Sequence, residues 1–191
     1  MKNLKVFTAM ATLSIILFSS CKKNDPANPA GTLTQFGVKQ GTIVYNASQD
    51  ETETVYFDNY GKQFRIEIKS SDVVGIYILD ETAQKAYYLD VPTKTYQEMP
   101  LADVQGLRDI ITFEETAYSL AGMKKSTQTI AGKSCTVYTG TYEGVTASIG
   151  GWSGIIFLLT DNGVNTLQAT SFSETIPANM FTLPAGYTKQ Q

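Results

Sequence analysis

Along most of the chain, apolar and polar residues alternate with a period of two. Phe64, Ile66 and Ile68 interleave with Arg65, Glu67 and Lys69, which predicts a strand with one buried and one wet face. Short β-branched and aromatic runs at Thr42–Ser48 and Thr54–Asp58 precede it, followed by a turn at Asn59-Tyr60-Gly61. Val73–Leu79 and Ile155–Leu159 are apolar at both parities and predict strands covered on both sides. Further strands are expected at Lys85–Asp90, Thr95–Met99, Thr127–Ile130, Ser134–Tyr142, Val145–Ile149, Gly154–Thr160 and Thr166–Ser173. Val91–Lys94 and Asp161-Asn162-Gly163 read as hairpin turns, the second because Asn and Gly accept positive φ.

Residues 100–121 depart from this period. Pro100 suits a first helical turn, and Leu101, Val104, Leu107 and Ile111 recur near helical spacing. Phe113–Ala121 continues that helix or forms a second short one, with Gly122 as its stop. About nine strands with one helical insertion predict an α+β domain over residues 35–191. The expected architecture is a strongly curved antiparallel sheet around the helices.

The N-terminus follows a different rule. Lys2 and Lys5 precede an apolar run of 13 residues, Val6–Phe18, and then Ser19-Ser20-Cys21. A cationic start, a short apolar segment and small residues before a cut site describe a secretory signal peptide over 1–20. Leu17-Phe18-Ser19-Ser20-Cys21 resembles the lipobox of bacterial lipoproteins, with Phe18 where that family usually has Leu. The resemblance implies acylation of Cys21 as the first mature residue. Residues 21–34, polar and holding two Pro and a Gly, then form a lipidated tether with a reach of roughly 20 Å. The expected location is the cell envelope of a Gram-negative bacterium, anchored to the outer membrane with the periplasmic side favoured over the surface. Only Cys135 remains after lipidation, so no intramolecular disulfide is possible, and it is expected buried and reduced on a strand with Val137 and Thr139.

Composition removes several function classes. The 191 residues carry 15 Lys and Arg against 18 Asp and Glu, a net charge of −3, so no basic footprint for nucleic acid is expected. There is no histidine, which excludes Ser-His and Cys-His catalysis and most zinc sites. Gly132-Lys133-Ser134 has Thr127 where a phosphate loop needs its first Gly, and reads as a β-turn entering a strand. Gly151-Trp152-Ser153-Gly154 has its second Gly one residue early for a nucleophile elbow, and Ser153 lacks a histidine base. Gly150, Gly151 and Gly154 are instead expected to allow a bulge or a close backbone approach beside Trp152. Asp50, Glu51 and Glu53 lack calcium-loop spacing and read as a solvated hairpin tip. No catalytic residue, metal site or cofactor is expected. Eleven tyrosines, among them Tyr45, Tyr56, Tyr60, Tyr77, Tyr87, Tyr88 and Tyr96, suit either a sheet or the lining of a wet apolar cleft.

Three segments carry a resemblance spanning roughly residues 41–188: Tyr56-Phe57-Asp58-Asn59-Tyr60-Gly61-Lys62-Gln63-Phe64-Arg65, Ile130–Cys135 and Ile176–Tyr187. With the element order, they are similar to Bacteroidetes lipoproteins of the LolA and LolB carrier-fold type. That resemblance implies an incomplete barrel with the helical insertion packed on its concave side, able to hold an acyl chain or another apolar ligand, and no catalytic residues. The rows Phe64, Ile66, Ile68 and Ile155, Phe157, Leu159 are then the expected ligand-binding lining. The expected function is a non-enzymatic, membrane-anchored lipoprotein binding a lipid or other amphipathic ligand. The other expectation is a structural or interaction lipoprotein that meets a protein or glycan through a sheet edge or tyrosine-rich face.

Overall fold

Phe64, Ile66 and Ile68 lie on β3 (Gln63–Lys69), buried as their alternation requires. The computed structural model describes residues 36–47, 51–71, 74–142 and 144–190; the signal peptide, Cys21 and the tether lie outside the described residues. In chain order the other strands are β1 (Gly41–Ala47), β2 (Thr52–Asp58), β4 (Val74–Asp80), β5 (Lys85–Asp90) and β6 (Thr95–Glu98), then β7 (Lys124–Ile130) and β8 (Lys133–Tyr142). They are followed by β9 (Val145–Trp152), β10 (Ile155–Asp161), β11 (Val164–Ser173) and β12 (Thr188–Lys189). Between β6 and β7 lie α1 (Leu101–Ile110) and α2 (Glu115–Leu120). No helix among the described residues is long and apolar enough to cross a membrane.

The protein is mostly β. Its strands form a single sheet in the order β12-β6-β5-β4-β3-β2-β1-β11-β10-β9-β8-β7, antiparallel throughout except for β12 beside β6. Each expected segment falls on one of β1–β11, β12 is additional among the described residues, and the helical insertion is two short helices. The helix breaks at Ile111–Phe113 because this segment hydrogen-bonds the start of β10. Ile156 N–H donates to Ile111 O at 2.8 Å and Phe113 N–H donates to Gly154 O at 2.9 Å. β10 in turn pairs with β11 only from Leu158 onward, so the interhelical segment lies against its first residues.

Two crossovers cover the sheet. The helices pack on one face, where Val104 and Ile111 join a core with Phe36, Phe57, Phe64, Leu79 and Phe157. On the other face, residues 174–187 carry the chain from β11 past β1–β6 to place β12 at the edge. Phe181, Leu183 and Tyr187 of this strap pack on Ile76, Ile78, Tyr87 and Leu89. β4 is therefore covered on both faces, which its unbroken apolar run required.

Candidate functional site

Register places the side chains of the helix-bearing face in three cross-strand rows. Nearest α1, Phe57, Phe64, Leu79 and Ala86 stand opposite one another, all at most 3% exposed. The next row runs Val55, Ile66, Tyr77, Tyr88 and Gln97, and the last runs Glu53, Ile68, Gly75, Asp90 and Thr95. Burial falls along the rows toward β6. Tyr77, Tyr88, Asp90 and Thr95 are half-buried and Gln97 is exposed. The Tyr77 and Tyr88 rings pack 4.9 Å apart, tilted by 42°. Gly75 makes room for them: a Cβ there would lie 3.1 Å from the Tyr88 ring. Burial and then the neighbouring Tyr88 raise the Tyr77 hydroxyl pKa; burial and then Asp90 raise that of Tyr88. Both phenols therefore stay protonated and able to donate at neutral pH.

The expected lining rows are more deeply placed than this fringe. Phe64, Ile66, Ile68, Ile155 and Phe157 are at most 8% exposed, and Leu159 is partly buried against the same core. Phe36, Val104 and Ile111 fill space in that cluster, so all six residues pack as core side chains. A register shift between Ile156 and Leu158 also breaks the alternation through Ile155, Phe157 and Leu159. The freed Ile156 carbonyl accepts from the Tyr45 hydroxyl at 2.8 Å, across β11.

Glu53 departs from the expected solvated tip. It lies on β2, paired with Tyr45 and Ile68, and is 7% exposed. Burial, then the charge of Glu51 and a hydrogen bond to it, push the Glu53 pKa up to about 7. The signal in the sequence was its parity: Glu53 shares a face with Val55 and Phe57. A carboxyl whose pKa rises on folding favours the folded state while it is protonated. Its stabilisation is complete below the unfolded pKa and is lost as pH rises from about 4.5 to about 7. Urea unfolding should therefore show stability falling over that window, by an amount on the order of 3 kcal/mol. Glu53→Gln should flatten the profile and be the more stable protein at pH 8; an unchanged pH profile in this variant would refute the assignment.

A second feature sits at the opposite end of the strands. Lys62, Glu81, Thr82, Gln84, Leu101 and Gln105 line a cleft of about 500 Å³ between the β4–β5 turn and α1. Arg108, 9% exposed at its side chain, fixes the wall. Its Nη1 donates to Gly61 O at 3.1 Å and to the Glu81 carboxylate at 2.5 Å. Arg108 shares the apolar face of α1, so the helical spacing gave no sign of it.

The sequence motifs weighed for other chemistry have structural duties. Gly132 is in the β7–β8 hairpin turn at φ 76°, and Lys133 lies 4.3 Å from the Trp152 ring centre and 4.8 Å from that of Phe172. Ser153 occupies the β9–β10 turn at φ 50°, and its carbonyl accepts from Gly37 N–H at 2.7 Å. Gly151 provides the close approach expected beside Trp152, to the Phe113 ring instead of to backbone. Cys135 is fully buried and unpaired, with burial raising its thiol pKa to about 11, so little thiolate forms at neutral pH. Among the described residues no group of three or more acidic or cysteine side chains is placed to hold a metal ion.

No protein-family model and no curated protein sequence matches the chain. Among solved structures it is similar to an uncharacterized conserved protein from Thermus thermophilus, with 11% identity and a TM-score of 0.53. That likeness covers 80% of this chain and 90% of the other, and it shows a shared fold. A likeness to PNGF-II has 10% identity and a TM-score of 0.45, and covers 31% of that larger chain.

Proposed function

We propose that this protein is a non-enzymatic envelope lipoprotein, anchored through acylated Cys21, that binds an amphipathic ligand such as a lipid or acyl chain. The binding surface is the helix-bearing face of a half-barrel similar to the lipoprotein carriers. Curvature is supported at one end of the strands. Phe36 N–H donates to Tyr60 O at 3.2 Å, while the next residue, Gly37, donates to Ser153 O. These carbonyls belong to the β2–β3 and β9–β10 connections. In a flat sheet β2 and β10 would stand about 14 Å apart, three strand spacings, whereas successive residues are ~3.8 Å apart.

The graded face carries the reading: buried aliphatic and aromatic rows give way to the half-buried Tyr77–Tyr88 pair and then to Asp90 and Gln97. Such a surface matches a ligand with an apolar body and a polar tip. The core rows Phe64, Ile66, Ile68 and Ile155, Phe157, Leu159 support that surface from within the core. Native mass spectrometry of the full chain should find co-purifying lipid, and a fluorescent fatty acid should bind saturably. Tyr88→Ala should weaken that binding about tenfold with little effect on folding. Absence of both lipid and saturable binding would overturn the proposal.

One observation favours the interaction reading as a second choice. β7 is exposed along Lys124–Thr129 and among the described residues pairs only with β8, which offers its outer edge to an extended partner. Lys124 and Lys125 at its start are the usual protection against unwanted pairing.

A further inference from the structure

We infer that the cleft between the β4–β5 turn and α1 is a second binding site, specific for an uncharged saccharide. Its volume of about 500 Å³ falls in the range of small-molecule sites, roughly 300–1,000 Å³. The chemistry of the wall selects the ligand class. Lys62 has no ion-pair partner among the described residues, and the helix start at Leu101 has no side-chain cap. Together they disfavour a cationic ligand. Glu81 disfavours an anionic one: its two side-chain contacts, from Arg108 and from Gln105 Nε2 at 3.4 Å, both fall on Oε1, leaving Oε2 free to accept. Thr82, Gln84 and Gln105 add groups that donate and accept in close alternation. A hydroxyl both donates and accepts, so a polyol satisfies every wall at once, and Leu101 offers an apolar contact for a ring face.

The wall is also held in place at a cost. Gln84 keeps a left-handed backbone at φ 53°, uncommon for a side-chain-bearing residue. Its Nε2 donates to Glu81 O at 2.6 Å, which leaves its own amide oxygen available. Buried Arg108 orients Glu81 although its Nε has no hydrogen-bond partner. The Arg108 bonds to Gly61 O and Glu81 and the Gln84 bond to Glu81 O hold this wall in one arrangement before a ligand arrives.

The test is NMR titration of the full chain in lauryldimethylamine oxide, a detergent without a sugar headgroup. Maltotriose and chitotriose are the saccharide probes, and sodium phosphate is the anionic control. The expected result is saturable movement of the Gln84 and Gln105 side-chain amides and of the Thr82 backbone amide with at least one saccharide, and none with phosphate. Gln105→Ala should weaken binding at least tenfold. Gln84→Gly, which keeps the left-handed turn while removing the amide, should do the same. No saturable shift with either saccharide would overturn the inference, as would matching shifts with phosphate or unchanged affinity in both variants. The Tyr88→Ala variant should bind saccharide normally, so failure here is separable from failure of the lipid-binding proposal.

Discussion

Gly151→Val is expected to unfold the domain or leave it only marginally stable. A Cβ at this position would lie 2.1 Å from Phe113 Cγ and 2.5 Å from both Cδ atoms. Neither side has room to retreat. Gly151 is in the sheet interior, paired with Thr136 and Ile156, and the Phe113 backbone is bonded to Gly154. The Phe113 ring is packed among Tyr118 and Tyr138, with centres 5.4 and 6.4 Å away. Overpacking usually costs about 1–3 kcal/mol and more when the neighbours are fixed, out of a total stability of about 5–15 kcal/mol. Urea unfolding should show a loss of at least about 3 kcal/mol for valine and less for Gly151→Ala. Phe113→Ala should cost about 3–5 kcal/mol by itself. Combined with Gly151→Ala, it should cost less than the sum of the two single changes, because the vacated ring position receives the new methyl group. Additive effects, or a Gly151→Ala protein as stable as the parent, would show that the ring does not rest on this glycine.

The same contact shows where sequence patterning stops being informative. Alternation located β3, and β-branched, aromatic or unbroken apolar runs between turn residues located the other strands from β1 to β11. Apolar residues at both parities marked β4 and β10 as covered on both faces, although they did not say by what. The cover on β4 is the strap, whose Phe181 and Leu183 flank Thr182 in a stretch bounded by Pro177 and Pro184 and too short to show a strand or helix period. β12 is two residues long and owes its existence to the β6 edge beside it, so no local pattern could announce it. Site residues follow the same division. Glu53 shares its parity with the buried Val55 and Phe57, although its charge and the neighbouring Asp50 and Glu51 point to a solvated tip. Arg108 and Glu81 are 27 positions apart, and their pairing exists only because α1 lies beside the β4–β5 turn. The core role of Phe64 and Ile66 was readable, but whether ligand or helix filled the space above them depended on where residues 101–113 ran.

Removal of the strap should have the second large effect. A chain ending at Thr175 loses Phe181, Leu183 and Tyr187 from the face formed by Ile76, Ile78, Tyr87 and Leu89. It also loses the bond from Arg65 Nη1 to Met180 O at 3.2 Å, leaving a buried guanidinium with Glu67 as its remaining ion-pair partner. At the edge it loses β12, the Lys189–Glu98 ion pair and the Gln190 N–H bond to Tyr96 O at 2.8 Å. Uncovering the four core side chains forfeits roughly 1.5–3 kcal/mol each at most. The ordering entropy of the removed residues, about 1–2 kcal/mol per residue for backbone, returns a large part of that. The net loss of stability should therefore be a few kcal/mol, with a larger consequence for solubility. An apolar face and a naked β6 edge, adjacent to each other, are a template for pairing with a second chain. The truncated protein should bind a hydrophobic dye and elute as concentration-dependent oligomers, while the full chain does neither through this face. Phe181→Ala and Leu183→Ala should reproduce the dye binding without exposing the edge, and should remain less associated than the truncation. A truncated protein that stays monomeric, dye-silent and as stable as the parent would show that the strap merely rests on the sheet and is no part of its core.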